Sequence, residues 1–164
     1  MIPPACFFSG HRIMEKKEIA LCKSLLREEI LNCINRGVTR FIVGGAIGFD
    51  TMAAEAVIDM REDYDIKLCL YLPCKNHFAK WKTQEIEKFH KIKEQADEVM
   101  YVYEGKYIPG CMQMRNSRMV SDSGCGIVYL RAAVNSGSAQ TVKIAKEKGI
   151  PFVNIFDEMK KYID

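Results

Sequence analysis

"FIVGGAIGFDTMAAEAV", residues 41–57, passes from an uninterrupted apolar run into a helical segment across a turn holding Gly44, Gly45 and Gly48. A run apolar at every position suits a strand covered on both faces, as parallel strands are. Residues 50–62 then read as a helix. A strand that feeds directly into a helix is the unit of an α/β fold. The turn between them is barer than a change of direction needs, so something is expected to approach its backbone closely. Glycines where a helix begins expose amide hydrogens at the positive end of the helix dipole, which makes an anion site.

Outward from this stretch the same alternation repeats. Short apolar runs at 5–9, 40–43, 67–72, 98–103, 126–130 and 151–156 read as strands. Between them, 15–36 places Ile19, Cys22, Leu26, Ile30, Cys33 and Ile34 on one helical face, with Gly37 as a stop. Trp81, Ile86, Phe89 and Ile92 recur at helical intervals within 81–96, and 111–120 and 138–148 complete the helices. The pattern predicts a three-layer Rossmann-like α/β fold: one six-stranded, mainly parallel sheet with helices on both faces, spanning 1–164 as one domain. Right-handed crossovers suggest the strand order 3-2-1-4-5-6.

Composition narrows the function. The 164 residues carry 24 basic and 21 acidic side chains, a net charge of +3, interspersed without a basic arm. Phosphate-driven affinity for nucleic acid usually leaves a basic stripe, so a nucleic-acid partner is not expected. No apolar run approaches the length of a membrane span, and the N-terminus lacks the basic start of a signal peptide. Seven cysteines without C-x-x-C spacing, several inside apolar runs, read as reduced core residues of a cytoplasmic, metal-free protein. A homo-oligomer is compatible with the chain.

Ligands of open parallel sheets bind beyond the carboxyl ends of the strands. There the sequence collects Ser9-Gly10-His11-Arg12 after the first strand and Gly44, Gly45, Ala46, Gly48 and Asp50 after the second. Trp81 follows the third, and Asn135-Ser136-Gly137-Ser138, with Thr141, follows the fifth. Two glycine- or serine-rich helix starts and the guanidinium fork of Arg12 suit a phosphorylated, nucleotide-like ligand. The dinucleotide fingerprint G-x-G-x-x-G follows a first strand, whereas here G-G-x-x-G-x-D follows the second, which argues against a nicotinamide dehydrogenase.

With "SGHR" (9–12), "GGAIGFD" (44–50), "LPC" (72–74) before Trp81, "RNSRMV" (115–120) and "SGSAQT" (136–141) in this order, the chain resembles the YpsA-like branch of the SLOG superfamily, relatives of the LOG and DprA proteins. The resemblance spans nearly the whole chain. It implies a Rossmann-like fold whose pocket takes a nucleotide-derived ligand, such as ADP-ribose, NAD or a nucleoside phosphate. It also adds Arg115 and Asn116 to the pocket as the family's R-N pair. Ser9 replaces the family's threonine, Ser121 and Gly124 stand where it has aspartates, and Ser136-Gly137-Ser138 replaces its G-G-T turn.

Several residues admit two roles at this stage. Asp50 is an N-cap or a ribose acceptor. Trp81 stacks on a base or begins a packing stripe, Arg115 binds phosphate or pairs with a carboxylate, and His11 is an acid–base group or a hydrogen-bonded loop residue. Three functions follow: a nucleotide sensor, a LOG-like N-glycosidic hydrolase, or a single-strand nucleic-acid binder. The hydrolase pattern wants a glutamate at the second glycine turn, and "NSGSAQTVK" (135–143) has none. A nucleotide sensor is therefore expected, with catalytic residues unassigned.

Overall fold

The computed structural model describes residues 3–131 and 136–162. Its strands are β1 (Ala5–Gly10), β2 (Arg40–Val43), β3 (Lys67–Leu72), β4 (Glu98–Tyr101), β5 (Cys125–Tyr129) and β6 (Phe152–Asn154). The helices are α1 (Lys16–Asn35), α2 (Phe49–Met60), α3 (Thr83–Gln95), α4 (Cys111–Ser121), α5 (Gly137–Lys148) and α6 (Ile155–Met159). All strand pairings are parallel.

The alternation along each strand sorts side chains into two cores. Cys6 and Phe8, Phe41 and Val43, and Leu68, Leu70 and Leu72 point to one face. Ala5 and Phe7, Ile42, and Cys69 and Tyr71 point to the other. Successive strand side chains face opposite sides, so strands apolar throughout need helices on both. α1, α2, α3 and α6 cover the first face, and α4 and α5 pack together over the second. Each fully buried large apolar side chain contributes about 1.5–3 kcal/mol.

The strand order is β4-β3-β2-β1-β5-β6, which corrects the expected 3-2-1-4-5-6. The chain does not reverse after β3 but adds one more strand outward, and only then crosses back through α4 to β5. The character of β4 explains this. Val99 is 38% exposed, and Glu98 pairs with Arg40 through Nε–Oε2 and Nη2–Oε1 contacts of 3.2 and 3.3 Å. A strand so charged and half-wet belongs at an edge. The irregular stretch 102–110 and α4 together give the chain the reach to recross the sheet. The expected sixth strand, 151–156, also shortens: the Asn154 side chain accepts from the Phe156 amide at 3.1 Å and starts α6.

The direction of travel changes between β1 and β5, and this switch point opens the crevice where the loops after β1, β2 and β5 meet.

Candidate functional site

A cleft of about 170 Å³ lies at that switch point. Ser9, Gly10, His11 and Arg12 line it from the β1 loop, Gly44, Ala46 and Asp50 from the β2 turn, Arg115 and Asn116 from α4, and Ser136, Gly137 and Ser138 from the start of α5. Of the residues expected from sequence, Gly45, Gly48, Trp81 and Thr141 do not line it, and Asn135 lies outside the described residues. Phe8 and Met119 supply apolar walls that no polar motif could signal. An open groove of about 720 Å³ continues from the cleft past Met112, Gln113, Gln140 and Lys143.

What approaches the glycine turn is the protein itself. A Cβ on Gly48 would stand 2.2 Å from the Arg12 carbonyl oxygen, and one on Gly44 would stand 2.6 Å from Arg115 Nη1. The Phe49 amide donates to the His11 carbonyl at 3.1 Å, and the Ala46 amide donates to Asp50 Oδ2, also at 3.1 Å. The amides expected to cradle an anion are therefore partly spent on the chain. Asp50 is not the N-cap of α2; Gly48 is, and the Asp50 carboxylate reaches back from the first turn. Burial raises the Asp50 pKa, against the opposing pull of Arg115, the Ala46 amide and Arg12.

The first turn of α5 faces the same cleft. Ser136 caps this helix, its hydroxyl accepting from the Ala139 amide at 3.1 Å. The Gly137 and Ser138 amides belong to the first turn, where no intrahelical carbonyl can reach them. Two guanidinium groups share the cleft. Arg115 is 7% exposed, donates through Nη1 to the Gly44 carbonyl and through Nε to Asn116 Oδ1 at 2.9 Å, and burial lowers its pKa. Arg12 is exposed and has no carboxylate partner among the described residues. Asn116 donates to Gln140 Oε1 at 3.1 Å, linking α4 to α5.

Three other expected residues take structural roles. His11 Nε2 accepts from the Arg131 amide at 2.9 Å, and burial with the Arg131 charge lowers its pKa, so it ties the β1 and β5 loops together as a neutral ring. Thr141 is fully buried and donates to the Gly137 carbonyl at 3.0 Å. Trp81 packs edge-on against His77 and Phe89, with centroids at 5.2 and 5.9 Å, within an aromatic cluster.

Sequence reasoning missed His77. Its Nε2–H donates to the Gly45 carbonyl at 3.1 Å, while Nδ1 is buried without a partner. Burial, with smaller contributions from Arg115 and Arg12, pushes its pKa from 6.5 down to about 4. The folded state therefore holds the ring neutral. The stability that rests on the neutral ring is complete above pH 6.5 and is lost as pH falls towards 4, because the unfolded chain takes the proton first. Urea midpoints are expected to fall across that window by the equivalent of about 3 kcal/mol, and His77→Gln should flatten the slope. An equal slope in the variant would remove His77 as the cause.

With this geometry in view, the model of the YspA SLOG family (YpsA) matches residues 8–149. The chain belongs to that family. A UPF0398 protein of Staphylococcus haemolyticus is 32% identical to this family member over 157 residues, covering 90% of this chain and 82% of the relative. One from Brevibacillus brevis is 26% identical over 151 residues, covering 87% and 80%. Among solved structures, DNA processing protein A from Helicobacter pylori, described for its single-stranded DNA binding mode, superposes with a TM-score of 0.67 at 21% identity. It covers 98% of this chain and 73% of the other. DNA processing protein A from Streptococcus pneumoniae gives 0.64 at 17%, covering 90% and 49%.

The SLOG resemblance and the Rossmann-like fold stand. The expectation that set nucleic acid aside does not. A fold neighbour is described for single-stranded DNA binding, and a net charge averaged over the chain does not report the cations, Arg12, Arg115 and Lys143, that line one groove. No helix among the described residues is long and apolar enough to cross a membrane.

Proposed function

We propose that this YpsA-family protein binds a nucleotide through its phosphate and ribose in the cleft at the β1–β5 switch point. One observation carries the reading: a helix N-terminus and two guanidinium groups face the same small cavity as a single carboxylate. The α5 amides with Arg12 and Arg115 suit a phosphate. Asp50 and Asn116 suit sugar hydroxyls. At about 170 Å³ the cleft is smaller than the roughly 300–1,000 Å³ of sites that engulf a drug-sized ligand, so it takes a phosphate and sugar while the rest lies along the adjoining groove. The role is that of a binding or sensing protein in the cytoplasm, acting as one domain.

A single-stranded nucleic acid is the second reading, favoured by the likeness to DNA processing protein A and by the open groove continuing from the cleft. The two readings share the phosphate contact. Calorimetric titration of AMP, ADP-ribose and NAD, beside oligo-dT at two salt concentrations, separates them. A mononucleotide ligand binds alone and saturates at one per chain. A strand binds only as an oligomer and weakens with salt in proportion to the phosphates neutralised.

Arg12→Ala is expected to weaken either ligand by about tenfold or more, roughly 1.4 kcal/mol, with the melting temperature unchanged, since the exposed side chain holds nothing in place. Unchanged affinity would remove Arg12 from the site. Absence of binding by every probe would remove the nucleotide reading.

A further inference from the structure

At the opposite edge of the sheet, Cys6 of β1, Cys33 of the last turn of α1 and Cys125 of β5 converge, with all three sulfurs within 4.8 Å of one another. We propose that these thiols form a zinc site. Cys6 and Cys125 are register partners across the β1–β5 pair, so their side chains leave the same face of the sheet, and Cys33 descends onto them from α1. No other trio of His, Cys, Asp or Glu converges this closely among the described residues. The site is independent of the nucleotide cleft.

The geometry fits the ion. Zinc–thiolate bonds of about 2.3 Å place tetrahedral sulfurs about 3.8 Å apart, so the trio closes by shifts of about an ångström or less. Soft thiolate ligands select zinc or monovalent copper over harder cations. Charge then favours zinc. Arg36 Nη2 lies 3.5 Å from Cys33 Sγ, and three thiolates, one divalent cation and this guanidinium sum to zero. A monovalent ion leaves an uncompensated charge at a site where Cys6 and Cys33 are 0% and 1% exposed, which is costly.

The fourth position also has a source. Cys125 is partly exposed and, with Arg36 and Gly124, lines a cleft of about 490 Å³ that opens from this edge and can deliver water. Ligands on β1, α1 and β5 let one ion clamp the sheet to the helix covering it. Spacing along the chain does not show the trio, because its members come from three separate elements.

The test uses the full chain, reduced and stripped with chelator, then given one equivalent of zinc or cobalt(II). The expected result is one zinc per chain, thiolate-to-cobalt charge-transfer absorption, and metal-dependent protection of Cys6, Cys33 and Cys125 from alkylation, read by peptide mass spectrometry. Cys125→Ser, at a partly exposed position, should lower zinc affinity by more than about 100-fold, beyond the usual loss for an outer partner, and Arg36→Ala by about 10-fold or more. Cys22→Ala, which removes another buried thiol of α1, should bind zinc as wild type does. Zinc uptake unaffected by Cys125→Ser, no protection of the trio, or uptake of copper(I) but not zinc would each overturn the assignment.

Discussion

Gly48→Ala is expected to cost about 2–6 kcal/mol of stability. Gly48 sits at φ +78° and ψ −123°, a conformation that a side chain disfavours by about 1–3 kcal/mol. The added methyl would also stand 2.2 and 2.6 Å from the Arg12 and His11 carbonyl oxygens, and relieving such overpacking costs about 1–3 kcal/mol more. The His11–Arg12 backbone cannot simply retreat, because the Phe49 amide holds the His11 carbonyl at 3.1 Å and the Arg131 amide holds the His11 ring at 2.9 Å. For a chain of this size the melting temperature should drop by roughly 6–18 °C. Nucleotide affinity should weaken with it, since Arg12 moves when its backbone does. Gly137→Ala is the contrast: a Cβ there meets nothing within 4 Å, and its φ lies outside the left-handed region, so the melt should stay within about 2 °C. A Gly48→Ala protein that melts like wild type would show that the turn is not clamped.

Arg115→Met is expected to abolish measurable nucleotide binding, by more than about 100-fold or 2.7 kcal/mol, and to cost about 2–4 kcal/mol of stability. Methionine keeps much of the length and apolar bulk, so the loss is chiefly of donors and charge. The Gly44 carbonyl loses its Nη1–H partner and Asn116 Oδ1 loses its Nε–H. Asp50 loses the nearby cation that most opposes the effect of burial on its carboxyl, leaving a buried charge with less compensation. Asp50→Asn in the same background should therefore recover part of the stability without recovering binding, a coupling that a double-mutant cycle reads directly. Additive losses in that cycle would show that Asp50 and Arg115 do not communicate.

Much of the candidate site was legible because each loop carries its own chemistry. "SGHR", "GGAIGFD" and "SGS" lie at element ends, and a parallel sheet must bring such ends to one edge, whereas "RN", inside α4, was carried only by the family resemblance. What could not be read was the division of labour among them. The three glycines after β2 suggested a cradle for a ligand, and the fold spends Gly48 on the approach of Arg12 and His11, Gly44 on Arg115 and Gly45 on Leu72. Trp81 and Thr141 shared the spacing of site residues but went to packing, and His77, in a loop with no motif, reached the Gly45 carbonyl.

Local patterning thus determined the elements, the sheet and the edge that carries the candidate site, because apolar periodicity and turn residues act between near neighbours. Only the tertiary structure decided the position of β4, the occupation of the α2 amides and the meeting of Cys6, Cys33 and Cys125. Those depend on which distant segments touch, and no spacing along the chain records a contact between β1, α1 and β5.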